Sequence, residues 1–251
     1  MHHILLLGGT TEASALARLL AAQGMNATLS YAGRTENPRP QPVPCRIGGF
    51  GGVEGLVAYL REHRITHLVD ATHPFAARMS AHAAAAARIA GVPFVALTRP
   101  AWRCEEGDNW TGVAGIEEAV AALDGPPRRV LLALGRMHVD AFAAQPQHHY
   151  LLRFVDVPDV PPALPDHHLV VDRGPFSVAG DRALLRHHAI DLVVSKNAGG
   201  TGAQAKLIAA RELGLPVLMI ERPAMPERRE MFRPEDVLDW IAHTPVAERG
   251  V

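Results

Sequence analysis

The 251-residue chain is long enough for one large domain or two smaller ones, and its 48% hydrophobic and 20% charged residues exclude a disordered protein. With 25 Lys and Arg against 26 Asp and Glu, a net charge of −1, the molecule as a whole has no electrostatic footprint for nucleic acid or an anionic membrane. Two cysteines, Cys45 and Cys104, make neither a disulfide framework nor a Cys-rich zinc site, and fit a reducing compartment.

Residues 4–7 are a continuous apolar run ending at Gly8-Gly9, as a buried parallel strand does, and too short for a signal-peptide core. A helix is predicted over 12–22, with Leu16, Leu19 and Leu20 on one face and Gly24 closing it. Strands follow at 27–31 and 43–47, then a helix at 53–62, a strand at 67–69, a helix at 75–90 and a strand at 93–97. The apolar stretch 81–98 is broken by His82, Arg88 and Pro93, so no membrane span is expected and the chain reads as soluble and cytoplasmic. In the second half, strands are predicted at 130–134, 150–155, 169–171, 191–194 and 217–220, with helices at 136–144, 178–188, 204–213 and near 234–241. Such alternation argues for α/β architecture, a parallel sheet covered by helices on both faces.

Gly91, Pro93, Arg99, Pro100 and Ala101 recur 123 positions later as Gly214, Pro216, Arg222, Pro223 and Ala224. This echo predicts two similarly built α/β domains, 1–113 and 114–251, with the linker between Trp102 and Pro127, where apolar runs are few.

Gly8-Gly9-Thr10-Thr11-Glu12-Ala13 follows the first strand and opens a helix, where free N–H groups and the helix dipole attract phosphate. It departs from G-x-G-x-x-G at Thr10 and Ala13, and a tight strand–helix turn is the plainer alternative. The second strand ends near Ser30 and Arg34, a hydroxyl and a cation that suit a 2′-phosphate, which favours NADPH over NADH; Glu36 argues the other way. Gly48-Gly49-Phe50-Gly51-Gly52 permits close contact with a flat ligand or a ribose, and Gly49, Phe50 and Gly51 join the cofactor candidates. Asp70, Thr72 and His73 lie at the end of the fourth strand, where open α/β sheets bind ligands. Asp70 or His73 could transfer a proton, or Asp70 could simply cap the next helix.

Of the 25 basic residues only Lys196 and Lys206 are lysines, and they flank the glycine-rich segment 197–202. Feeding a helix N-terminus, that segment reads as an anion site built on Lys196, Gly199, Gly200 and Thr201, with Lys206 weighted as a surface residue. The paired histidines at 148–149, 167–168 and 187–188 lack metal-ligand spacing and read as surface residues, so no metal is expected.

The ordered set GGTTEA, GGFGG, DATHPFA, ALGR, RGPF and SKNAGGTGAQAKL resembles the precorrin-6A reductase family of cobalamin biosynthesis, over nearly the whole chain. The resemblance implies NADPH-dependent reduction of one double bond of the precorrin-6A macrocycle to give precorrin-6B, by two Rossmann-like domains with an interdomain cleft. It implies a small-molecule tetrapyrrole as partner, with other enzymes of the pathway as further candidates. The many carboxylates of such a ring suit arginines, and Arg99, Arg136, Arg173 and Lys196 are the candidates to hold them, with Arg78, Arg103 and Arg153 nearby. Asp70, His73 and Lys196 are the candidate catalytic residues, though none identifies itself as the proton donor. Cobalt-precorrin-6A reductase, a different nicotinamide-dependent reductase and a two-lobed ligand-binding protein are the rival readings. A short-chain dehydrogenase fits less well, since no Tyr-x-x-x-Lys pair occurs.

Overall fold

The structure, a computed structural model, describes residues 2–32 and 40–245. The chain divides into two compact units, one of Met1–Pro100 with Ala224–Val251, the other of Ala101–Pro223.

Elements are numbered along the chain. The first unit holds β1 (His3–Leu7), α1 (Thr11–Ala22), β2 (Asn26–Tyr31), β3 (Cys45–Ile47), α2 (Gly52–Glu62), β4 (His67–Asp70), α3 (Ala77–Ala90) and β5 (Phe94–Leu97), and later β12 (Glu230–Met231) and α7 (Pro234–His243). Its six strands are all parallel in the order β3-β2-β1-β4-β5-β12. Parallel strands covered on both faces must be apolar at successive positions, and β1 is. Ile4 and Leu6 enter one core with Leu16, Leu20, Val237 and Ile241, while Leu5 and Leu7 enter the other with Leu56, Leu60 and Ala83. Each fully buried leucine contributes about 1.5–3 kcal/mol, so the five-residue strand anchors both helical layers.

The second unit holds β6 (Trp110–Val113), α4 (Ile116–Ala121), β7 (Arg129–Ala133), the 3₁₀ helix η1 (Arg136–Ala144), β8 (His149–Phe154), β9 (His167–Val171), α5 (Val178–His187), β10 (Leu192–Lys196), α6 (Ala205–Glu212) and β11 (Val217–Ile220). Its sheet, again all parallel, runs β9-β8-β7-β10-β11-β6. Counted from the first strand of each half, both orders are 3-2-1-4-5-6, that of a dinucleotide-binding sheet.

The sixth strands are exchanged. β6 and α4 follow β5 in the chain but complete the second sheet beside β11, and β12 and α7 follow β11 but complete the first beside β5. The chain leaves the first unit after Pro100 and returns after Pro223, so the repeated Arg-Pro-Ala marks both crossings. Proline has no N–H to donate, so neither ladder can extend past that point.

Several expectations change. The compact units part at Ala101 and Ala224, whereas the sequence division was 1–113 and 114–251. The region expected as linker carries β6 and α4, which escape pattern reading because β6 is a half-exposed edge strand and α4 has six residues. The helix predicted from 75 begins at Ala77, leaving 71–76 as a loop. The segment 136–144 is 3₁₀, not α. His148, read as a surface residue, is wholly buried, accepting from the Arg128 N–H at 3.0 Å and hydrogen-bonded to the Leu123 carbonyl at 2.7 Å. Among the described residues no helix is long and apolar enough to cross a membrane, and no group of three His, Cys, Asp or Glu side chains is placed to hold a metal ion.

His67 on β4 is fully buried, its ring edge-on to His2 at 5.1 Å and to Trp240 at 5.4 Å. Burial, and secondarily the charge of His2, pushes it from the ordinary 6.5 down to about 4. Because the native state resists protonation more than the unfolded chain does, this stability is whole above pH 6.5 and is lost as pH falls toward 4. The loss is about 3 kcal/mol. Urea midpoints at pH 7 and pH 5 should therefore differ markedly in the native protein and less in His67→Leu; an unchanged acid dependence in the variant would remove His67 as its source.

Candidate functional site

Ligands of doubly wound sheets bind beyond the carboxyl ends of the strands, where the strand order reverses. In the first unit that edge carries the loops after β1, β2, β3, β4 and β5. Gly8 continues the ladder, its N–H donating to the Ser30 carbonyl at 2.9 Å, and a Cβ there would collide with Leu29, so its smallness serves packing. Gly9 has φ +121° and open space where a Cβ would stand, so the backbone lies bare toward the strand ends. Thr10 caps α1, accepting from the Ala13 N–H at 3.1 Å and donating to the Ala71 carbonyl at 2.8 Å, which ties the β1 loop to the β4 loop. The N–H groups of Thr11 and Glu12, in the first turn of α1, have no partner among the described residues. Thr11 donates to Glu12 at 3.0 Å, and Glu12 pairs with Arg99 at 2.8 Å. Arg99, a candidate for substrate carboxylates, is thus held by a carboxylate of its own unit.

At the end of β4, Asp70 is almost wholly buried. Its Oδ1 accepts from the Thr72 N–H at 3.1 Å and the Thr72 hydroxyl at 2.6 Å. Its Oδ2 accepts from Ser80 at 2.6 Å and from Arg228 at 3.0 Å, a pair whose side chains are 2% and 6% exposed. Asp70 therefore fixes the loop from Thr72 into α3 and caps no helix terminus. With both oxygens occupied, its placement is that of an anchor. Arg228 comes from the segment that returns after Pro223, and its Nε also donates to Glu230 at 3.1 Å. His73 is exposed, and its Nδ1 accepts from the Phe75 N–H at 3.2 Å, which assigns the neutral ring's proton to Nε2.

Near the ends of β2 and β3, Ser30 and Arg46 stand opposite each other in register. The Arg46 guanidinium donates to the Ser30 hydroxyl at 2.7 Å and to the carbonyls of Gly48 and Gly49 at 3.0 and 3.1 Å, and lies 3.9 Å from the Phe50 ring centre. Gly51 is left-handed at φ 79° and precedes α2. A Cβ at Gly55 would overlap the Phe50 carbonyl, so this glycine lets α2 fold back on the loop. Arg34 lies outside the described residues.

In the second unit, Lys196 ends β10 half-buried, its Nζ 3.4 Å from the Leu134 carbonyl. The following loop is clamped from inside. Buried Asn197 accepts from the Trp102 N–H at 2.8 Å and donates to the Trp102 carbonyl at 3.2 Å; the Trp102 indole N–H donates to Gly200 at 2.8 Å. Arg222 donates to the carbonyls of Asn197 and Ala198, each at 2.9 Å. Gly199 and Gly200 are both left-handed, and Thr201 is exposed. Lys206 is buried, not on the surface: its ammonium donates to the Ala203 carbonyl at 2.6 Å and lies 4.8 Å from the Trp102 ring centre. Arg153 forms a buried pair with Asp181, Arg173 pairs with Asp156 at 3.1 Å, and Arg136 is exposed beside Met137. The apolar side chains of Met137, Val155, Val157 and Val160 are exposed, and Val160 lines a cavity with Arg136 and with Phe154 at the end of β8.

Sequence reasoning passed over Arg46, Arg228, Trp102, Asn197 and Gly55. An arginine in a strand that runs into Gly48-Gly49 was the available signal for Arg46. Arg228 has none, since its partner lies 158 positions away.

The family described as Precorrin-6x reductase CbiJ/CobK matches residues 3–242. A precorrin-6A reductase of Rhodobacter capsulatus is 56% identical over 251 residues, covering 100% of both chains. One of Rhodococcus erythropolis is 48% identical over 244 residues, covering 96% of this chain and 97% of the relative. A cobalt-precorrin-6A reductase of Priestia megaterium is 30% identical over 239 residues, covering 88% and 90%. The solved structure of CobK precorrin-6A reductase superposes with a TM-score of 0.94 at 56% identity, covering 100% of both chains.

Breaking the Asp70–Arg228 pair from one side leaves a charge buried without its partner. Arg228→Ala should cost about 3–5 kcal/mol in chemical denaturation. A loss under about 1 kcal/mol, the range of surface pairs, would mean the pair is not an anchor.

Proposed function

Since the chain belongs to the precorrin-6x reductase family CbiJ/CobK, we propose that it is an oxidoreductase reducing one double bond of precorrin-6A to give precorrin-6B in cobalamin biosynthesis, with NADPH as cofactor. The observation that carries this reading is the end-to-end match at 56% identity with a precorrin-6A reductase. The cobalt-free substrate is favoured because relatives named precorrin-6A reductase are 46–56% identical, and those named for the cobalt form 27–32%. A cytoplasmic enzyme accords with that pathway.

The first unit fits a dinucleotide. The bare backbone at Gly9 and the open N–H groups of Thr11 and Glu12 offer a cradle for pyrophosphate, and Arg99 offsets the Glu12 carboxylate beside it. Ser30, Gly49, Phe50 and Gly51 line the strand ends where the adenosine half belongs. When bound, the nicotinamide supplies the hydride. The chain supplies the rest. Asp70 holds Thr72, and His73, exposed in the loop after β4, is the candidate to deliver the accompanying proton in its protonated form.

In the second unit, Lys196, Arg136 and the Gly199–Gly200–Thr201 turn hold substrate carboxylates, while Met137, Val155 and Val160 meet the apolar ring. Lys196 also aligns the ring for hydride transfer. Arg173, already paired with Asp156, contributes at the rim.

Incubating the protein with precorrin-6A and NADPH should consume cofactor and give a product heavier by one hydride and one proton; no reduction would overturn the proposal. Gly9→Val should abolish NADPH binding while the circular dichroism stays native. Lys196→Ala should weaken macrocycle binding about ten- to hundredfold and leave NADPH affinity unchanged. The reverse pattern in titrations would assign the two ligands to the opposite units.

A further inference from the structure

We infer that Arg46, seated on Ser30, reads the 2′-phosphate of the cofactor and sets the choice of NADPH over NADH, an inference that rests on the nicotinamide-cofactor reading above. Ser30 is the last residue but one of β2, the strand whose end lies beside the adenosine ribose in a doubly wound sheet. Sites for the unphosphorylated cofactor place a carboxylate there to accept from the ribose hydroxyls. Here the position is a serine, 5% exposed, whose hydroxyl accepts from Arg46.

The guanidinium is held without being neutralised. Its three hydrogen bonds go to the Ser30 hydroxyl and two backbone carbonyls, so two of its five N–H groups have no partner among the described residues. Arg99, Arg153 and Arg228 each pair with a carboxylate, whereas Arg46 pairs with none among the described residues. Phe50, 3.9 Å from the guanidinium, and Tyr59, at 5.2 Å, fix its plane. A half-buried, oriented cation with donors to spare at the ribose end of the sheet is complementary to a phosphate monoester dianion.

The test uses the full chain, titrated with NADPH, NADH and 2′-AMP. The native protein should bind NADPH more tightly than NADH and should bind 2′-AMP. Arg46→Gln should weaken NADPH at least about tenfold, lose 2′-AMP and leave NADH unchanged, while Arg46→Lys keeps part of the preference. Ser30→Asp neutralises the guanidinium in place, and should lower the NADPH preference with the Gly48–Gly49 carbonyl contacts kept. Equal losses for both dinucleotides in Arg46→Gln, or a phosphate-selective loss in Arg34→Ala with none in Arg46→Gln, would overturn the assignment. If the native protein binds neither dinucleotide, the cofactor reading itself fails, and the inference with it.

Discussion

A carboxylate withdrawn from water must be matched by a cation and by hydrogen bonds, or it will not stay charged. Asp70 meets that demand at the end of β4 by taking two donors from Thr72, one from Ser80 and one from Arg228. Because Thr10 reaches across to the Ala71 carbonyl, the same cluster also fixes the turn after β1. Two loops at the point where strand order reverses are thus set by one buried charge. Their geometry depends on a residue from the far end of the chain.

That dependence follows from the exchanged edges. The first sheet lacks its sixth strand, and its α1 lacks part of its apolar cover, until β12 and α7 arrive from beyond Pro223. Val237 and Ile241 on α7 are fully buried in the core with Leu16 and Leu20. Arg228 lies in the stretch that delivers them. The segment that packs the last helix against α1 therefore also carries the cation that holds the β4 loop.

Cations around the two strand-end edges divide by what satisfies them. Arg99, Arg153, Arg173 and Arg228 are matched by carboxylates. Arg46 is satisfied only by neutral oxygens among the described residues. In a medium less polar than water, an unneutralised guanidinium of fixed orientation attracts an anion more strongly than a mobile surface one. The charge total of the sequence carries no trace of this division.

Local chemistry was readable from the sequence. The apolar run ending in Gly8-Gly9 gave β1, the run before Asp70 gave β4, and the Arg-Pro-Ala echo announced two similar halves. The motif order pointed to the family that the whole-chain match then established. What the sequence left open depended on partners distant in the chain. β6 and β12 are strands only because β11 and β5 offer them unpaired edges, and a half-exposed or two-residue strand has no periodicity to declare it. Lys206 looked like a surface lysine until Trp102 and the Ala203 carbonyl enclosed it. Asp70 could be read as a cap or an acid, and one of the partners that hold it in place, Arg228, is distant in the chain. Residue type and spacing determine which chemistry is available along a strand or helix; which oxygen meets which nitrogen across 158 positions is decided by tertiary packing, because only the folded core brings them together and removes the water that would otherwise separate them.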